Sequence, residues 1–276
     1  MTAAPTIPER LLDLGADFTR HHDILTDIAL LHGPDPSGNL TRRSTATQAL
    51  AREALDVAEA LRTMSGLRHS PEVKAAMERA VQLAALAVLA TDHLLDAADL
   101  LQEIRHANDM PEAVRQHRLE VGRRITLAAR LTSLGNEDCV ATARLVAVEL
   151  HRQRLAPHLR PPALSPAQHV ALEAVASGRV TLARHLDKTR LGRGDVRVSI
   201  RTIRSLEGRG LVHREPCALV LHDERVHLTR DGRRALTATL TRPRVATPAA
   251  ARPANRPPST ATAARHARSS PRPLSS

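Results

Sequence analysis

The chain has 276 residues, 42% hydrophobic and 25% charged, enough for one large domain or two ordinary ones with real cores. Its net charge is +11, and Phe18 is the sole residue among Phe, Tyr and Trp, so any core is built from Leu, Val, Ile and Ala, which suits helix packing. Cys139 and Cys217 stand alone, outside any CxxC setting, which excludes a disulfide framework, and no phosphate loop or nucleophile elbow points to an enzyme or a cofactor.

The charge is distributed unevenly. Residues 1–163 hold 19 Lys+Arg against 21 Asp+Glu, residues 164–240 hold 14 against 8, and residues 241–276 hold 7 against none. A uniformly basic composition would spread the excess, so this pattern points to a polyanionic partner for the C-terminal part.

Residues 7–31 carry Leu11, Leu14, Phe18, Leu25 and Ile28 at spacings of three and four, with His21 filling the gap and Asp13, Asp17, Asp23 and Asp27 off that line. This is an amphipathic helix with a coiled-coil-like stripe, suited either to a homodimer or to the interior of a bundle. HGPDPSGN (32–39) ends it, and a second helix is expected from about 42 to 65. Ser70-Pro71 then caps a third, running to about His106 and apolar nearly all round between Ala80 and Ala90, as for a helix surrounded by others. That apolar run is too short and too polar-flanked to span a bilayer, and MTAAPTIPER is no signal peptide, so the expectation is a cytoplasmic protein with no membrane partner.

Helices of about 112–133 and 137–155 follow, separated by a turn at Gly135-Asn136. Five helices with short connections make an α-helical bundle over residues 1–158, for dimerisation or for binding a partner or small-molecule effector. Four prolines in APHLRPPALSP (156–166) make the next stretch a linker. Thr241 onward is Pro, Ala, Ser, Thr and Arg, a composition expected to be disordered.

In the segment 164–240, SPAQHVALEAVAS opens with a Ser-Pro start and ends at Gly178. RVTLARHL (179–186) alternates as a strand does, yet its Leu182, Ala183 and Leu186 also fit a helical turn, so residues 179–198 are either helix or hairpin. In RVSIRTIRSLEGRGLVHRE (197–215), Ser199 is an N-cap, Ile200, Ile203 and Leu206 recur every three residues, and Gly208 and Gly210 supply a left-handed stop. Burying those aliphatics turns Arg201, Thr202, Arg204, Ser205 and Arg209 outward. A helix presenting Arg, Ser and Thr suits a major groove. LVHRE (211–215) and RVHLT (225–229) read as paired strands around a turn, and Thr229 caps a last helix.

TIRSLEGRGLVHRE with VHLTRDGRRAL resembles the recognition helix and wing of MarR-like bacterial transcriptional regulators, whose DNA-binding domain is a winged helix-turn-helix. The resemblance covers residues 164–240 and implies a winged helix domain there; with the helical bundle before it and the disordered tail after it, a mainly α protein is expected. It departs from that family where the usual second helix is not legible and where the dimerising helices lie before the winged segment. Arg197, Ser199, Arg201, Thr202, Arg204, Ser205, Arg209 and, near the wing, Arg225 are the expected contacts to double-stranded DNA. The scarcity of aromatics argues for duplex over single-stranded nucleic acid. The competing expectation is a scaffold protein whose winged domain docks to a protein. His213, Cys217, His222 and His227 are zinc-ligand types without ligand spacing, so no metal is expected.

Overall fold

The computed structural model describes residues 4–27, 31, 34–106, 111–156, 163–185, 188–191, 198–217 and 223–240. The protein is mainly helical with a small antiparallel sheet. Its contacts group residues 1–242 as one compact unit, and the remainder, which includes the expected tail, lies outside the described residues.

Four long helices come first: α1 (Ile7–Leu25), α2 (Pro36–Thr63), α3 (Pro71–His106) and α4 (Pro111–Arg152). α1 starts at a reciprocal cap, Thr6 N donating to Glu9 Oε2 at 2.7 Å while Thr6 Oγ1 accepts from Glu9 N. The helices close into a ring in which α1 packs on α2 and α4, and α3 lies between α2 and α4. Leu14, Phe18, Leu50, Leu83 and Cys139 fill one level of the interior, and Leu25, Leu40, Leu94 and Ile125 fill another. Alanines at 54, 80, 87, 90, 97 and 128 are fully buried, so the helices approach closely where aromatics would have held them apart.

Three sequence expectations change here. α2 begins at Pro36, not near 42, because Asp35 caps it through Gly38 N at 3.1 Å and Pro36 sits at the first helical position, where no amide hydrogen is needed. Gly135-Asn136 is no turn, since α4 runs unbroken through it. Gly135 faces the Phe18 ring so closely that a Cβ would lie 2.5 Å from Cγ, while Asn136 Nδ2 donates to Gly15 O at 2.8 Å and to Thr19 Oγ1 at 2.5 Å. The pair that reads locally as a turn is the close contact between α1 and α4. Finally, α3 is not surrounded: Val81, Val88 and Leu89 are about half exposed on the face turned away from the bundle. By length and composition alone α3 is apolar enough to cross a membrane.

The stripe on α1 is internal, with Leu11, Leu14, Phe18, His21 and Leu25 all buried. His21 is satisfied there by Thr47 Oγ1, 2.6 Å from its Nε2, and burial lowers its pKa to about 4. A dimer therefore cannot be built on that stripe. Ile28 lies outside the described residues.

The remaining elements are α5 (Pro166–Ala176), β1 (Thr181–His185), β2 (Lys188–Leu191), α6 (Ile200–Gly208), β3 (Val212–Pro216), β4 (Asp223–Leu228) and α7 (Arg230–Leu240). The strands form one antiparallel sheet in the order β2-β1-β4-β3, with His213 opposite His227 and Leu182 opposite Glu224. β1 and β2 thus pair antiparallel, the strand alternative of the sequence reading. Leu172, Val175, Ile203, Leu206 and Leu236 join Leu11, Leu61, Val146 and Leu150 in one continuous core, so the 164–240 segment is packed on the bundle.

Candidate nucleic-acid interface

α6 is anchored by what it buries. Ile203 and Leu206 are fully buried and Ile200 packs half-buried beside them. Ser199 Oγ caps the helix by accepting from Thr202 N at 3.1 Å, and lies 2.8 Å from Thr202 Oγ1, so both hydroxyls are fixed at the helix start. Gly210, at φ +68°, makes the left-handed exit, and the chain passes at once into β3.

Arg201, Arg204 and Ser205 lie exposed on the opposite face, with Thr202 half-exposed. Arg201 and Arg204 stand three residues apart and therefore on neighbouring rows of the helix surface. Ser205 Oγ accepts from Gln168 Nε2 at 3.1 Å, and Arg209 Nη1 donates to Gln168 Oε1 at 3.2 Å and Ala163 O at 3.0 Å. Gln168 also receives Ser165 N, so one side chain ties the α5 cap to α6. Its place three residues after Ser165 is a capping-box spacing that the sequence already carried. Arg197 lies outside the described residues.

Arg225 does not belong to this face. It is 7% exposed and clamps Asp23 of α1 with two hydrogen bonds, Nε to Oδ2 at 2.5 Å and Nη2 to Oδ1 at 2.7 Å, while Nη1 donates to Gly178 O. Cys217 Sγ donates to the same carboxylate at 3.3 Å. The resemblance places Arg225 near the wing; the return strand in fact lies against α1, and a buried guanidinium whose N–H donors are already engaged is closed to a phosphate.

Other basic residues of the segment also turn toward the bundle. Arg179 pairs with Glu137 at 2.5 Å, Arg233 with Asp13 at 2.8 Å and Arg234 with Glu9 at 3.5 Å. Arg214 pairs within the segment, with Glu207 and with Glu224 at 3.4 Å. The charge surplus that the sequence assigns to 164–240 as a block therefore has two destinations. Part of it complements acids on α1 and α4, and part lies exposed on α6, at Arg201 and Arg204.

A polar cluster joins α1 to β3 and β4 beside the Asp23–Arg225 pair. Arg20 grips Glu215 through Nε at 2.7 Å and Nη2 at 2.8 Å, and His213 Nε2 lies 2.7 Å from Glu215 Oε1. The Arg20 hydrogen bonds hold the Glu215 carboxyl down to about 2. The His213 and His227 rings are 6.0 Å apart, and burial, with Arg20 nearby, lowers His227 to about 4. Both histidines lean on a carboxylate already engaged by a guanidinium, and among the described residues no three His, Cys, Asp or Glu side chains are arranged to hold a metal ion. His222 lies outside the described residues.

Compared with known proteins, the chain matches no family model, no curated protein and no solved structure.

Proposed function

We propose that the protein is a DNA-binding transcriptional regulator, acting in the cytoplasm, whose 164–240 segment is a winged helix that reads duplex DNA with α6. One observation carries the reading: a short helix fixed by Ile203 and Leu206 holds Arg201 and Arg204 exposed, with no ion pair on either among the described residues, whereas Arg179, Arg225, Arg233 and Arg234 of the same segment are all paired. A guanidinium that reads guanine must be free to donate to base acceptors, and side chains locked on the bundle are not. Ser205 and Arg209, pre-positioned by Gln168, supply hydroxyl and guanidinium donors suited to phosphates at the end of the helix. β3 and β4 correspond to the wing.

The scaffold reading draws its support from the same ion pairs, because most of the segment's paired arginines face protein. The two part on α6. Selection from a genomic duplex library at physiological salt is expected to enrich a defined sequence, with affinity falling as salt rises in proportion to the phosphates contacted. Arg201→Glu combined with Arg204→Glu is expected to abolish that binding without lowering the melting temperature, since neither side chain is buried. No enriched sequence, or enrichment indifferent to the double substitution, overturns the regulator reading in favour of protein docking.

A further inference from the structure

The outward face of α3 carries a second helical stripe that the bundle does not use. Val81, Ala85, Val88, Asp92 and Leu95 follow one another at spacings of four, three, four and three, and every one is exposed. Val81 and Val88 are 51% and 47% exposed, and Leu89, beside the line at 51%, widens it. The opposite side of the same helix is filled by Ala80, Leu83, Ala87, Ala90 and Leu94, all fully buried against α2 and α4. A helix with apolar lines on two faces is made to pack twice, and a contiguous apolar strip of this kind marks an interaction surface.

We propose that this face docks a second copy of the chain, the two α3 helices lying antiparallel and crossing at Val88. Charge sets the direction. Glu72 is engaged by Arg152 at 3.7 Å and Asp96 by Arg124 at 2.7 Å. The N-terminal end of the stripe then offers Lys74 and Arg79 with Glu78, whereas from Ala80 to Ile104 the charged residues of α3 are all acidic. Parallel helices would set Asp92, Asp99 and Glu103 against their own copies. Antiparallel helices bring Asp99 and Glu103 to the level of Lys74, Glu78 and Arg79 twice over, so that the acidic end of each copy meets the end that carries the basic residues, and set Asp92 opposite Ala84, with Val81 near Leu95 of the other copy and Val88 meeting itself. Alanine and valine at the crossing let the backbones approach closely.

Two other occupants fit less well. Residues 241–276 contain only Val245 and Leu274 as large apolar side chains, too few to cover the strip. A lipid surface would have to accept Asp92 in the middle of the apolar line. The α1 stripe is internal, so α3 supplies the self-association face that α1 does not. The inference is independent of DNA binding.

Sedimentation equilibrium of the full chain up to about 100 µM tests it. A monomer–dimer equilibrium is expected, with Val88→Glu raising the dissociation constant by roughly thirtyfold or more, the effect of a central interface position. Lys74→Glu is expected to weaken the dimer and Asp99→Lys in the same chain to restore it, a readout that survives if the Val88 variant folds poorly. A chain that stays monomeric, a dimer indifferent to both sets of variants, or binding to anionic vesicles without self-association overturns the proposal.

Discussion

Gly122 and Gly135 lie in the same long helix, and replacing each by alanine should move stability in opposite directions. In a helix interior, Gly→Ala gains about 1 kcal/mol from backbone entropy and helix propensity. At Gly122 nothing stands within 4 Å of the added Cβ, so that gain is expected almost whole. At Gly135 the Cβ falls 2.5 Å from Phe18 Cγ and 2.7 Å from Cε1, and closer still to Cδ1. The ring cannot swing away, because Phe18 is fully buried. Nor can the helices part freely, since Asn136 bonds Gly15 O and Thr19 Oγ1 one residue further on. Overpacking of this kind costs about 1–3 kcal/mol and here belongs at the upper end, so Gly135→Ala should be a net loss of about 1–2 kcal/mol after the propensity gain. For a unit of this size that is a fall in melting temperature of about 2–8 °C, against a rise of about 2–4 °C for Gly122→Ala. Thermal melts followed by circular dichroism read both. Adding Phe18→Leu to Gly135→Ala should cost less than the sum of the single changes, because the residues share one contact. If Gly135→Ala melts at or above the parent chain, the close approach of α1 to α4 argued above is wrong.

The Asp23–Arg225 pair makes a sharper test of how the 164–240 segment sits on the bundle. Asp23→Ala strands a buried guanidinium and should cost about 3–5 kcal/mol in urea unfolding, and Arg225→Met added to it should recover most of that loss; equal stability of Asp23→Ala and the parent would place Arg225 in solvent. The protein should also lose stability as pH falls through the histidine range. His21, beside Arg43 and Thr47, and His227, beside Arg20, Arg225, Glu215 and His213, are held neutral with pKa values lowered to about 4, whereas the unfolded chain protonates them near the ordinary 6.5. Between those values the unfolded state binds more protons, so stability is full above about pH 6.5 and falls toward pH 4, by on the order of 3 kcal/mol per histidine. Urea melts from pH 7.5 to 5 should show that slope, and His227→Gln should flatten part of it; an unchanged slope would mean that His227 is solvated.

The elements were legible where the signal was local. Ser70-Pro71, Ser165-Pro166 and Thr229 mark helix starts in the sequence and cap helices in the structure, through Val73 N, Gln168 N and Gly232 N respectively. The reading failed where the decisive partner is far along the chain. Gly135 looks like a turn until Phe18 is brought against it, and nothing within ten residues of Arg225 announces that Asp23 will meet its guanidinium. Asp23 lies off the apolar line of α1, where charge on an amphipathic helix normally faces water; it is 5% exposed because Arg225 and Cys217 of the 164–240 segment cover that side of α1. The face of α6 was legible for the opposite reason: spacing alone assigns its inward aliphatics, and Ile203 and Leu206 are indeed the residues it buries.

The paucity of aromatics ties these observations together. Two packed parts of a chain ordinarily meet through large apolar side chains, but here Phe18 is committed to the interior of the bundle. The joint between bundle and sheet is instead an aliphatic core edged by ion pairs, Glu9–Arg234, Asp13–Arg233, Arg20–Glu215, Asp23–Arg225 and Glu137–Arg179. Arg20–Glu215 runs from the bundle to the sheet, but the other four place the basic residue on the 164–240 side, so such a joint by itself produces part of the charge asymmetry first seen in the sequence. The asymmetry alone is therefore weak evidence for a polyanion. Docking explains Arg179, Arg225, Arg233 and Arg234, and leaves Arg201 and Arg204 exposed on a helix anchored by Ile203 and Leu206. A guanidinium contributes little to stability in that position, so replacing it tests the proposed reading of α6 without a confounding loss of the fold.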